Sequence, residues 1–162
     1  MKNRNSYILG LSVPLLLGLS ALADPITPLP ITAIQASHLD WQVTGEGVAF
    51  AALRGDRFVE PYMAMVRLPA GLVSPPHTKS ANMFGVVLSG TMYHVPAGED
   101  QANAVPLSAG SYYQIPAGLA HVSSCVYKEE CITFLYQDGN FDFLPVTAPP
   151  NTGTPISGEV PK

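Results

Sequence analysis

Gly71-Leu72-Val73-Ser74-Pro75-Pro76-His77-Thr78-Lys79-Ser80-Ala81-Asn82-Met83-Phe84-Gly85-Val86-Val87-Leu88-Ser89-Gly90 opens a segment that closes with Gly110-Ser111-Tyr112-Tyr113-Gln114-Ile115-Pro116-Ala117-Gly118-Leu119-Ala120-His121. Each half lifts one histidine from a proline and glycine corner into an apolar strand. Two distant parts of the chain can then aim imidazoles into one cavity, the layout of a small β-barrel with a site in its mouth.

Residues two apart in a strand point the same way, so His77, Lys79, Ala81 and Met83 are expected on one face, and His121, Ser123 and Cys125 on another. The sharpest reading is a divalent metal (zinc, iron, manganese or copper) held by His77 and His121, with water, substrate or one further side chain completing the sphere. Two imidazoles fall short of the three protein ligands usual in catalytic centres. A protonated Lys79 would repel the ion, and Met83 is a soft donor suited to copper. The competing reading is a metal-free pocket in which Lys79 anchors a small anionic or polyhydroxy ligand. A degenerate structural or interaction protein is the third.

Moving outward, Val48 to Leu53 and Tyr62 to Leu68 read as strands joined by a hairpin-like Arg54-Gly55-Asp56-Arg57. Period-two alternation puts Met63 and Met65 on one face and Tyr62, Ala64, Val66 and Leu68 on the other, with the methionines expected to fill the barrel interior. Thr91 to Pro96 forms a strand with Met92 and His94 on one face. Ser111 to Ile115, Ala120 to Tyr127 and Cys131 to Tyr136 supply three more, and Asp138 to Phe143 closes the domain with a turn and an aromatic pair. Tyr93, Tyr112 or Tyr113 would supply a general acid or a ligand contact. Trp41 is expected as a packing anchor and His38 as a surface or capping residue. Cys125 and Cys131 flank a polar tip, and a hairpin there would set them opposite each other within disulfide reach. Closing so short a loop contributes about 2 kcal/mol in the chain-entropy model.

Residues 1–23 read as a secretory signal peptide: Lys2 and Arg4, an apolar run from Tyr7 to Leu19, then Ala21-Leu22-Ala23 before Asp24. The mature protein is therefore expected in the periplasm or outside the cell. Residues 24–36, with Pro25, Pro28 and Pro30, suit an extended lead-in; residues 37–147 form the domain, and 148–162 a proline-rich disordered tail. Removing the leader takes Lys2 and Arg4 from 8 basic residues and leaves 6 against 12 acidic ones. This acidic balance without basic clusters argues against a nucleic-acid partner, and no later stretch is long and apolar enough to span a membrane. Helical periodicity and internal repeats are absent, which points to one all-β domain.

The spacing resembles the cupin superfamily. Its first motif is glycine, five residues, His-x-His, three or four residues, glutamate, six residues, glycine, and Gly71, His77 and Gly90 match it. Its second motif is matched by Gly110, Pro116, Gly118 and His121. Lys79, Met83 and Cys125 stand where the second histidine, the glutamate and the closing asparagine belong. The phrases PPHTKSANMFGVVLSGT, AGSYYQIPAGLAHVSSC and YQDGNFDFLPV further resemble a DUF4437-like family of small secreted bacterial cupins, grouped with anti-sigma-factor-like cupins. The resemblance covers residues 37–147 and implies a cupin-type double-stranded β-helix, a jelly-roll barrel of two antiparallel sheets. It also implies metal binding and homodimers through edge strands but no established reaction; a small-molecule ligand is the partner expected of the cavity itself. Any enzyme of this kind would be a metal-dependent oxygenase, isomerase or lyase.

Overall fold

The computed structural model describes residues 30–126 and 128–147. The signal-peptide and tail readings, most of the lead-in and Tyr127 lie outside the described residues. Residues 30–33 carry no regular structure, and the compact unit begins at Ile34.

Among the described residues the chain forms strands β1 (Trp41–Val43), β2 (Ala49–Arg54), β3 (Tyr62–Leu68), β4 (His77–Thr78), β5 (Met83–Ser89), β6 (Met92–Pro96), β7 (Tyr112–Ile115), β8 (His121–Cys125), β9 (Cys131–Gln137) and β10 (Leu144–Pro145). Two short 3-10 turns, Ala36–His38 and Gln101–Asn103, are the helical content, as the missing helical period requires. The strands build two antiparallel sheets, ordered β1-β2-β3-β9-β5-β7 and β10-β4-β8-β6. This is the all-β jelly roll expected from the motif spacing.

Alternation decides which side of each strand is buried. In β3, Tyr62, Ala64, Val66 and Leu68 are buried, and in β9, paired with it along its whole length, Cys131, Thr133, Leu135 and Gln137 are. The core joins both sheets, with Phe50, Val66, Ile115 and Leu135 from the larger and Met92 and Cys125 from the smaller. Burying six such side chains removes apolar area worth about 25 cal/mol per Å². Gln137, fully buried, is satisfied by Tyr62 Oη–H, which donates to its Oε1 (3.2 Å), and by Asn140 O, which accepts from its Nε2 (2.7 Å).

Three expectations are corrected. Met63 and Met65 lie on the outer, half-buried face of β3, because the smaller Ala64 and the branched Val66 already fill the interior side. Trp41 is half-buried on edge strand β1 and outside the core, where its ring instead carries the Arg67 guanidinium at 4.2 Å. Cys125 and Cys131 do form a disulfide, but not across a hairpin: they sit on β8 and β9, in different sheets, with Cα atoms 5.8 Å apart. The bond therefore ties the two sheets together. His38 is exposed, as expected of a surface residue.

Candidate functional site

His77 and His121 are register partners across β4 and β8, which brings their ring centroids to 4.2 Å. Each turns Nδ1 to the main-chain carbonyl two residues earlier, His77 to Pro75 O (2.9 Å) and His121 to Leu119 O (3.0 Å). A carbonyl only accepts, so Nδ1 carries the proton in both rings and Nε2 is a bare lone pair. The Pro-Pro corner before His77 and the Ala-Gly-Leu turn before His121 place those carbonyls, which ties the tautomer to the local sequence. His121 Nε2 is buried with no hydrogen-bond partner.

A third imidazole joins them. His94, on β6, lies opposite Ser123 of β8, whose Oγ is 2.9 Å from its Nδ1. Its ring is 6.5 Å from that of His121 and 4.3 Å from that of Tyr113, and its Nε2 is also buried without a partner. No motif marks His94. The available signal was its place on the face of β6 shared with buried Met92.

These groups surround a cavity of about 490 Å³. His77, His94, Lys79, Met83 and Tyr113 line it, whereas His121 stands beside His77 outside the lining. Tyr93 and Tyr112 are not part of the lining, and Tyr112 is exposed: alternation along β7 turns Tyr113 inward and its neighbour outward. Tyr113 is held by its Oη at 3.1 Å from Thr133 Oγ1 and by Gly85 opposite it, where a Cβ would come within 2.2 Å of the phenol ring. A smaller hollow of about 290 Å³ beside Arg54 and Glu60 contains no histidine.

Burial sets the electrostatics. It pulls His77 down to about 4, partly offset by the Pro75 hydrogen bond and reinforced by His121 and Lys79. Burial also brings His94 down to about 3 and lowers His121, so all three rings are neutral at pH 7. Lys79 is pulled down to about 8 by burial, against the favourable field of Asp142. Tyr113 is pushed up to about 12 by burial, so it faces the cavity as a neutral phenol, able to donate.

The last segment of the domain walls the cavity. Phe143 stacks on His77, with centroids 4.1 Å apart and planes 16° from parallel. Phe141 packs edge-on against Phe50 at 5.5 Å. The Asp142 carboxylate accepts from Ser80 N–H at 3.1 Å and its main-chain oxygen accepts from Lys79 Nζ, while Asp138 takes both the main-chain and side-chain N–H groups of Asn82. Neither phenylalanine was a site candidate from the sequence.

Tied Nδ1 atoms and bare Nε2 atoms suit a metal, since metal-bound histidines characteristically donate their other N–H to a carbonyl. The donor count is low. Among the described residues no three His, Cys, Asp or Glu side chains are gathered closely enough to hold an ion together. A metal here would rest on His77 and His121, with water or ligand filling its remaining positions.

Facing antiparallel sheets, a histidine-lined mouth between them and the two glycine-bounded motifs define a cupin. Residues 32–156 match the family described as Domain of unknown function (DUF4437), and the chain belongs to that family. No functionally curated protein is significantly similar to it. Among solved structures it is similar to KdgF from Halomonas sp. (18% identity, 67% of this chain and 94% of that one, TM-score 0.54). It is also similar to the polyketide cyclase RemF from Streptomyces resistomycificus (15% identity, 75% and 89%, TM-score 0.58) and to an RmlC-like cupin from Shewanella frigidimarina (15% identity, 65% and 88%, TM-score 0.51). At these identities the likeness establishes the fold alone.

Proposed function

We propose that this cupin binds a small molecule in the cavity beside His77 and His94, with a divalent metal held by His77 and His121 taking part, and that it works outside the cytoplasm. The observation that carries the metal is the pairing of carbonyl-tied Nδ1 with bare Nε2 in both rings. A buried lone pair with no donor, as at His121 Nε2, is costly unless something binds it. A bound metal would supply Lewis acidity. The chain's own part is to hold the rings neutral, shield His77 under Phe143 and keep Tyr113 protonated beside His94. The inter-sheet disulfide supports an oxidising compartment, and the sequence of residues 1–23 supports export.

The test is the metal content of protein purified without chelator or affinity histidines, beside a His77→Ala/His121→Ala double variant. Near-stoichiometric metal that the variant lacks is the expected result. A wild type that neither carries metal nor takes it up on titration overturns the metal half of the proposal.

A further inference from the structure

We propose that the ligand of this cavity is a small organic monoanion whose carboxylate pairs with the Lys79 ammonium while its apolar body fills the space under Phe141 and Phe143. The inference rests on the cavity being a small-molecule site, and not on the metal.

Lys79 is the position from which the ligand's charge is read. Its side chain is only 7% exposed and shares a buried face with His77, Ala81 and Met83. Nζ donates one hydrogen bond, to the Asp142 main-chain oxygen, and sits 4.2 Å from the centroid of Phe141 and 5.7 Å from that of Phe143. An ammonium has three N–H groups. Among the described residues none of its hydrogen bonds goes to a carboxylate and no carboxylate lies within ion-pair distance; the Asp142 carboxylate is turned to Ser80 N–H instead. A buried cation with aromatic faces on one side, on which Asp142 acts only from beyond ion-pair distance, is a costly arrangement in a folded protein, and an anion arriving from the cavity relieves it.

The remaining surroundings narrow the class. Lys79 is the one lysine or arginine among the residues that line the cavity. Glu46, exposed at the rim of the same cavity, disfavours a second negative charge on the ligand. Phe50, Leu68 and Met83 line the walls, which suits a compact hydrocarbon or aromatic body, and about 490 Å³ is within the range of small-ligand sites. His94 Nε2, buried without a partner, is available to a ligand hydroxyl, which can donate to it or accept from it. The same ammonium that would repel a bare metal ion attracts this ligand.

The experiment is calorimetric titration of phenylacetate and hexanoate against their uncharged amides, phenylacetamide and hexanamide. It is run on wild type, Lys79→Met and Lys79→Arg, each confirmed as folded by circular dichroism, both after chelator treatment and after zinc loading. The expected result is that each acid binds wild type at least about tenfold more tightly than its amide, that Lys79→Met abolishes the preference, and that Lys79→Arg keeps part of it. Should Lys79→Met fail to fold, the acid-to-amide ratio in wild type and Lys79→Arg decides alone. Equal binding of acid and amide, an unchanged preference in Lys79→Met, or no binding of any probe to folded wild type overturns the proposal. An acid preference that persists in chelator-treated protein upholds it even where the metal reading fails; metal uptake with indifferent acid and amide binding fails it alone.

Discussion

Phe143 lies flat on His77, 4.1 Å away, and so a residue of the last described segment covers the first motif histidine. The contact shields one ring face from water and contributes to the burial that holds His77 near 4. Replacing Phe143 with Ala exposes that face. The His77 pKa is expected to rise from about 4 toward its ordinary 6.5, read from imidazole proton shifts in metal-free protein. An unmoved titration would mean that the shielding comes from elsewhere.

Neutral buried histidines make the metal-free protein sensitive to acid. The folded-state values of His77 and His94, about 4 and about 3, lie below the ordinary 6.5, so between pH 6.5 and 4 the unfolded chain takes up protons that the folded one refuses. Stability is therefore insensitive to these groups above pH 6.5 and falls as the pH drops below it, by roughly 1 kcal/mol per pH unit for each histidine. Urea midpoints at pH 7 and pH 5 check this, and His94→Asn should flatten the difference. Equal midpoints would rule the account out.

The disulfide joins β8 to β9 and hence one sheet to the other. Its loss in a Cys125→Ala/Cys131→Ala variant is expected to lower stability by about 2 kcal/mol, measured by urea unfolding, with reductant giving the same loss in wild type. The variant should keep its strands, because the ladders on either side do not depend on the bond.

Gly85 and Tyr113 form a matched pair. A Cβ at position 85 would lie 2.2 Å from the phenol ring, so Gly85→Ala must push Tyr113 out of the cavity wall. The expected cost is about 2 kcal/mol by denaturant unfolding. The same substitution in a Tyr113→Ala background should be nearly free, and a full-sized penalty there would show that the clash is not with Tyr113.

The sequence carried the fold further than the site, for reasons visible at single residues. His77 and His121 were legible because glycine and proline corners at fixed spacing mark their strands, and the structure makes them register partners. Met63 and Met65 were assigned correctly to a common face, but alternation alone cannot say which face is inner; that depends on what the opposing sheet supplies. His94 went unmarked because one histidine in a five-residue strand has no pattern of its own, and its meaning comes from lying opposite Ser123. Phe143 reached the site through a return of the chain from position 143 to position 77, a contact that no local rule encodes. The cysteines were paired correctly and set wrongly, because a tip that joins two sheets reads in sequence like one that joins two strands.

The place of β9 between β3 and β5 has a consequence for how the chain acquires its shape. The middle of the larger sheet is filled by residues 131–137, and the cavity lining is completed by Phe141 and Phe143, so a chain emerging from the ribosome has neither in full until almost the whole domain has been made. Until then β3 and β5 each present an unpaired edge, and closing them joins residues far apart in sequence, which makes folding slow. The chain therefore completes its larger sheet and its cavity together, at the far end of the domain.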